Sequence, residues 1–298
     1  MSSNNKYKTI LHIGYPKTGT TWFQKNYFPF VKGVSFYSHT TIQELIGTNN
    51  DRLDENKAKK NIALAQKKGH LVISDESLLQ GPKKMEASAL YHKHVFEDAT
   101  VILFIRNQVK KYASNYSEYI KAGGTKTFAN FLIKPNGEYN GGEKHCYDKT
   151  LDIYYSIFGR ENVFIYLYED FEDNPVKFIQ EFTKKHMLDI DLEQINFKRV
   201  NRSLPRKLIQ LKRILNKFTK RQTGWVALKT RKDYIFHIPL WYEITHILFK
   251  QLSKIGFRSK GILSTKDKAM VADFFRESNR RLMEDYGFEE IKRYNYPV

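Results

Sequence analysis

The 298-residue sequence has one cysteine, Cys146. A single thiol excludes an internal disulfide framework and any cysteine-rich metal site. No uninterrupted run of about 20 apolar residues exists, so no membrane-spanning helix is expected. The opening MSSNNKYK is polar and lacks an apolar core, so no secretory signal is expected. No Gly/Ser-rich linker and no internal repeat separates the chain into parts. Nine histidines are present without an H-E-x-x-H or comparable ligand spacing, so no metal is expected. Acidic residues are in short supply: 32 Asp+Glu face 50 Lys+Arg, a net charge of +18. Apolar residues are not, and at 41% they suffice for a core, which excludes a disordered chain. The expectation is a soluble, basic, cytoplasmic protein of a reducing compartment, with an anionic partner.

The first two thirds alternate between two patterns. Thr9–Gly14, Leu71–Ser74, Thr100–Ile105 and Asn162–Leu167 are short, continuous apolar runs. Such runs suit strands buried on both faces of a parallel sheet. Helix-period segments lie between or after them: Gly19–Tyr27, Asp54–Lys68 with Ala58, Ile62 and Ala65 on one face, Asn107–Lys121 and Asn174–His186. This order predicts a three-layer α/β fold. From about Lys198 helical periodicity takes over. Leu208, Leu211, Leu215 and Phe218 fall at helical spacing and predict one apolar face; Pro239–Leu252 and Thr265–Tyr286 are further helical stretches. The expected organisation is a single domain over 1–298, with an α/β core at about 7–190 and a basic helical extension at about 198–298.

The sharpest local signal is Gly14-Tyr15-Pro16-Lys17-Thr18-Gly19-Thr20-Thr21-Trp22, between a predicted strand and a predicted helix. Backbone N–H groups and the helix dipole converge on such a turn and favour an anion. The two glycines allow close approach, the threonines add hydroxyls, and Lys17 adds a charge. It is not a Walker A loop, which places Lys directly after its second Gly; here Lys17 precedes Gly19 by two positions. A ligand-free Gly-rich turn is the plain structural alternative.

Tyr15 through Trp22 closely resembles the 5′-phosphosulfate loop of the sulfotransferases that use 3′-phosphoadenylyl sulfate (PAPS). Arg106-Asn107-Gln108 with Ser114 eight residues after Arg106 resembles the family's 3′-phosphate motif, and Tyr168-Glu169-Asp170 its later strand-end segment. Phe275–Pro297, with Glu277-Ser278-Asn279 and the closing Tyr-Pro, looks like bacterial members, and Glu76 at a predicted strand end resembles the carbohydrate N-sulfotransferase branch and bacterial relatives. Gln108 departs from the pattern, because the family usually has Pro there.

The resemblance implies a P-loop-like fold and sulfuryl transfer from PAPS, leaving PAP, to an acceptor hydroxyl or amine. It implies that Pro16, Lys17, Thr18, Gly19, Thr20, Thr21 and Trp22 cradle the 5′ end, that Arg106 and Ser114 hold the 3′-phosphate, and that Tyr168 contacts adenine. Lys17 is the candidate for neutralising the leaving oxygen. Arg106 has a plain alternative as a strand-end arginine, Ser114 as a helix-face serine, and Tyr168 as a core tyrosine.

A hydroxyl acceptor calls for a general base. Asp75 and Glu76 end a predicted strand, the edge at which open α/β sheets bind ligands. Glu76 is the first candidate and Asp75 the second; the competing role is a helix N-cap cluster. His39 and His70 lie near strand ends, and His12, inside the first strand, reads as a packed histidine.

Between Lys198 and Lys232 there are 13 basic residues and no acidic one, which leaves the rest of the chain 37 basic against 32 acidic. In one reading Arg199, Asn201 and Arg202 complete the PAPS site. In a second, the helix near Arg206–Arg221 lies on an anionic membrane surface. In a third, the segment grips an acidic acceptor such as a polysaccharide; a glycolipid is a further acceptor class. A solvated basic helix is the plain alternative. The rival functions are a P-loop phosphotransferase and a non-catalytic membrane- or nucleic-acid-binding protein; no zinc finger or RNP-like motif favours nucleic acid. Oligomeric state is not encoded in any motif.

Overall fold

Apolar runs too short for helices form the sheet. Its strands are β1 (Thr9–Gly14), β2 (Val34–Ser38), β3 (His70–Asp75), β4 (Thr100–Ile105) and β5 (Val163–Leu167), all parallel, in the order β2-β3-β1-β4-β5. The computed structural model describes residues 7–38, 41–42, 45, 48–49, 52–53, 55–79, 81–197, 205–218, 235, 238, 240–252 and 261–298. Helices follow in chain order: α1 (Thr20–Asn26), α2 (Glu55–Gln66), α3 (Pro82–Val95), α4 (Gln108–Lys121), α5 (Phe128–Leu132), α6 (Tyr147–Phe158), α7 (Tyr168–Asp173), α8 (Pro175–Lys185), α9 (Arg206–Leu215), α10 (Trp241–Leu252) and α11 (Thr265–Glu284). A parallel sheet flanked by helices is the expected α/β, P-loop-like class.

The chain divides into two compact units. The first comprises Met1–Arg106, Glu143–Lys198 and Arg281–Tyr294; the second comprises Asn107–Gly142, Arg199–Arg280 and Asn295–Val298.

In the first unit, β1 and β4 are buried at every position. Strand periodicity sends alternate residues to opposite faces. Ile10, Val72, Ile102 and Phe104 join Phe23 of α1 and Phe178, Ile179 and Phe182 of α8 in an aromatic-rich core. Each such side chain contributes about 1.5–3 kcal/mol on burial. Leu11, Ile13, Ile73 and Leu103 are buried on the alternate positions. Ala58, Ile62 and Ala65 form the buried face of α2, as their spacing predicts.

β2 is not among the apolar runs read from the sequence, although it ends directly before His39, which the sequence places near a strand end. It is an edge strand, half-buried along its length, and its Val-Ser-Phe-Tyr-Ser alternation makes no continuous apolar run. Helices α3 and α6 have no counterpart in the sequence expectations; among its described residues α3 buries Met85, Ala89, His92 and Val95, a face that mixes a histidine and an alanine with two larger apolar residues.

In the second unit, α4 buries Tyr112, Tyr116, Tyr119 and Ile120. Asn216, just past α9, donates from Nδ2 to the carbonyls of Ile120 and Gly124, each at 2.8 Å. Terminal helix carbonyls have no partner within their own helix, and the Asn216 amide supplies one. The expected apolar face of α9 is corrected here. Ile209, Lys212 and Asn216 are buried, whereas Leu211 is 46% exposed. The fully buried ammonium stem of Lys212 lies against the rings of Tyr242 (5.8 Å) and Phe249 (5.1 Å) of α10, so the helix turns that side inward.

Candidate active site

The site is built in the first unit, at the carboxyl ends of β1, β3, β4 and β5. After β1 the backbone turns sharply: Lys17 and Gly19 adopt left-handed φ values of 71° and 88°. Gly19 caps α1. A Cβ on Gly19 would stand 3.1 Å from the ring of Tyr168, so glycine is needed for both conformation and space. The Thr18 hydroxyl donates to the Tyr15 carbonyl at 2.6 Å and fixes the turn from inside. Tyr15 itself is buried, with its hydroxyl 2.7 Å from that of Thr150, and burial pushes its phenol well above the usual range.

Arg106, directly after β4, locks this turn. Its Nη1 donates to the Lys17 carbonyl at 2.9 Å, and its guanidinium lies 4.5 Å from the centre of the Tyr168 ring. The Tyr147 hydroxyl donates to the Arg106 carbonyl at 2.6 Å, which fixes the strand end. Loop, arginine and tyrosine are thus one assembly from β1, β4 and β5. Two buried polar atoms in it, Thr20 Oγ1 and Arg106 Nε, have no hydrogen-bond partner among the described residues. A buried polar group without a partner is costly. An anionic ligand in this cradle satisfies both, so the residues present fit a phosphate-bearing group.

Pro16 and Lys17 are half-buried in the turn, and Thr21 is exposed at its rim. Trp22 is engaged elsewhere: its Nε1 donates to the Asn196 carbonyl at 3.1 Å and its ring packs on Phe171 at 4.7 Å.

On the other side of β1, β3 ends in the two carboxylates; Ile13 of β1 pairs with Asp75. Asp75 is buried and its Oδ1 accepts the Ser77 N–H at 2.7 Å, the capping geometry. Glu76 is half-buried and lines a cavity of about 390 Å³ with Thr21, Gln24, Asp75 and Ser77. Two neighbours of this cavity were not legible in the sequence. Gln24 of α1 donates from Nε2 to the Ser74 carbonyl at 2.8 Å, tying the loop helix to the end of β3. Burial pushes the Lys144 ammonium below its usual range, and the nearby Glu76 carboxylate opposes that shift. Gln24 stands ten residues past Gly14, and Lys144 follows an unremarked Gly-Gly-Glu; neither sits in a motif.

His12 is buried between Phe23, Phe28 and Phe104, with Nδ1 2.7 Å from the Ser74 hydroxyl. Desolvation pushes its pKa down to about 3, so it is neutral. His70 accepts the Lys8 N–H at the start of β3. His39 lies outside the described residues.

A profile of the sulfotransferase domain matches residues 8–217. The chain belongs to the sulfotransferase family. It is an enzyme of that family, and the match decides between sulfuryl transfer and the phosphotransferase and binding-protein alternatives. A sulfotransferase from Alicyclobacillus acidocaldarius is similar in structure at 17% identity and a TM-score of 0.46, over 62% of this chain and 82% of that one. Mouse sulfotransferase SULT7A1 complexed with PAP is similar at 14% identity and a TM-score of 0.47, over 95% of this chain and 91% of the mouse chain. No curated protein sequence matches.

The other candidate residues are not brought into this assembly by the described structure. Ser114 is half-buried on α4 in the second unit. Arg199, Asn201 and Arg202 lie outside the described residues. Gln108, where the family usually has Pro, makes a reciprocal amide pair in the second unit. It donates to Asn279 Oδ1 at 2.8 Å and accepts from Asn279 Nδ2 at 3.1 Å. Asn279 Nδ2 also donates to the Pro297 carbonyl at 2.8 Å. Among the described residues no group of three or more His, Cys, Asp or Glu could hold a metal, and no helix is long and apolar enough to cross a membrane.

Proposed function

We propose that this sulfotransferase takes the sulfuryl group of PAPS and passes it to a hydroxyl or amine of a carbohydrate or glycolipid acceptor. The observation that carries this is the joint placement, at one sheet edge, of a phosphate cradle and a carboxylate-lined cavity that share α1. Thr21 and Gln24 of α1 line the cavity that Glu76 also lines.

PAPS supplies an activated sulfur–oxygen bond whose leaving group is PAP. In-line transfer forms a sulfur–oxygen or sulfur–nitrogen bond to the acceptor as the bond to the phosphate oxygen breaks. Glu76 takes the acceptor proton. Lys17 offsets the negative charge that develops on the bridging oxygen, which is electrostatic stabilisation aimed at the transition state. Backbone N–H groups of 18–21 and the Thr20 hydroxyl hold the 5′-phosphate, with Pro16, Gly19 and Trp22 shaping the turn. Arg106 and Ser114 hold the 3′-phosphate, joined by Arg199, Asn201 and Arg202, and Tyr168 meets the adenine. The charge is supplied by Lys and Arg, so no metal enters the reading. The chain acts as a single sulfotransferase domain in the cytoplasm; the family match, which runs through both units, supports the first point.

The division of labour between the two carboxylates follows from their surroundings. Asp75 is occupied as a cap; Glu76 faces the cavity. Transfer is read by mass shift across a panel of sugars and glycolipids. Glu76→Gln lowers turnover by about 10²–10⁴-fold with PAP affinity intact. Asp75→Ala, which removes the cap acceptor, costs on the order of 1 kcal/mol of stability and little turnover. Full activity in Glu76→Gln removes Glu76 from the role of base.

A further inference from the structure

The second unit turns an aliphatic stripe to the outside. On α10 the buried residues are Tyr242, Thr245 and Phe249. On the opposite side Ile244, Ile247 and Leu248 are 57%, 60% and 50% exposed, and Leu240, just before the helix, is 69% exposed. The i, i+3 and i+4 spacing of Ile244, Ile247 and Leu248 is the signature of one helical face. A water-facing helix normally places polar residues there, so among the described residues this face is unpartnered in a way that scattered surface leucines are not.

Helix α9 repeats the arrangement. It buries Ile209 and Lys212 and exposes Leu211 (46%) and Ile214 (48%). The two helices are tied together. Trp241 Nε1 donates to the Leu215 carbonyl at 3.0 Å, and the Ile235 and Ile238 N–H groups donate to the carbonyls of Lys217 and Phe218. The Lys212 ammonium between Tyr242 and Phe249 completes the clasp. Each helix already packs its inward side against the other, so the outward aliphatics have no further use within the pair.

Charge selects the occupant. Lys198–Leu252 carries 14 basic residues against only Asp233 and Glu243. A second copy of this chain would bring the same surplus against itself, and like charges repel. Nucleic acid binds through phosphates and aromatic stacking platforms, whereas the exposed stripe is aliphatic. An anionic lipid surface meets both features at once: acyl chains for the stripe and headgroups for the lysines and arginines. Helix α10, about 18 Å long, is too short to span a bilayer and suits the interfacial plane.

We propose that the α9–α10 pair docks this sulfotransferase on anionic membrane surfaces, with the Leu240–Ile244–Ile247–Leu248 stripe entering the headgroup–acyl boundary. The stripe of α10, rather than the basic helix alone, supplies the apolar contact. The inference is independent of the identity of the sulfuryl donor.

Cosedimentation of the full chain with vesicles tests it. Vesicles of phosphatidylcholine mixed with phosphatidylglycerol should carry the protein down, pure phosphatidylcholine should not, and added salt should release it. The double variant Ile247→Glu/Leu248→Glu should weaken binding by about tenfold or more, because two exposed aliphatics lose their burial. Lys207→Glu, on an exposed position of α9, should weaken it by about tenfold or more as two units of charge are reversed. PAP affinity and the thermal midpoint should be unchanged in both. Three results overturn the proposal: no binding to anionic vesicles, binding insensitive to the glutamates, or a dimer in sedimentation that the glutamates dissociate.

Discussion

A lysine marks each of the two units, and the two are placed oppositely. Lys17 sits half-buried in a left-handed turn at the sheet edge, its carbonyl held by Arg106. Lys212 is only 1% exposed, wedged between α9 and two rings of α10, with no hydrogen-bond partner for its ammonium among the described residues. Burial drives the Lys212 pKa down to about 8. The first lysine belongs to a preorganised polar cradle where a charge can act on a ligand. The second is a packing element whose charge the fold tolerates. One residue type thus has two uses, and the surroundings, not the sequence spacing, decide which.

The sharpest way to break this contrast is to remove each lysine. Lys17→Ala should lower sulfuryl transfer on the order of 10²–10³-fold, measured at saturating donor, with little change in thermal midpoint. An unchanged rate would make Lys17 a spectator. Lys212→Met should do the reverse, leaving the cradle's chemistry alone and changing stability.

The sign follows from the pKa. Lys212 titrates at about 8 in the folded chain against an ordinary 10.5. The unfolded chain therefore holds its proton longer, and stability rises as pH climbs from about 8 to 10.5. Below that window the folded state carries the full cost of the buried ammonium. The methionine variant should lose the pH-dependent rise and gain on the order of 1–3 kcal/mol at neutral pH. Denaturant melts across the alkaline range measure both.

A smaller effect sharpens the same comparison within the second unit. Gln108→Ala leaves the buried Asn279 amide without its reciprocal partner and should cost about 1–3 kcal/mol. Gln108→Pro, which restores the family's usual residue, should cost a similar amount, because Asn279 loses the same partner. A neutral proline variant would show that the amide pair contributes nothing.

These contrasts explain what the sequence reveals. The strands β1 and β4 are readable to the residue because both faces are buried and the runs are uniformly apolar. The loop at 14–22 is readable because its turn needs Gly19 and because a cradle needs donors in one short stretch. Edge strand β2, half-buried, leaves no such run. In α9 the leucine spacing points to the wrong side, since a lysine and an asparagine occupy the inward face while Leu211 and Ile214 look out. Patterns of hydrophobicity cannot foresee a buried lysine whose stem and charge pack on rings. Gln24 and Lys144 reach the carboxylate end of β3 only through the fold, so no spacing announces them. The choice between base and cap for Glu76 and Asp75 likewise becomes concrete only when Asp75 is seen bonded to the Ser77 N–H.

The central claim is that the Lys17 turn, Arg106 and Tyr168 form one cradle for PAPS, the first two for its phosphates and Tyr168 for its adenine. Calorimetric titration of PAP into the full chain, alongside Arg106→Ala and with ATP as the competing nucleotide, tests it most directly. The account predicts PAP binding on the order of micromolar, tighter than ATP and markedly weakened by Arg106→Ala. ATP binding without PAP binding, or PAP binding indifferent to Arg106, would contradict it.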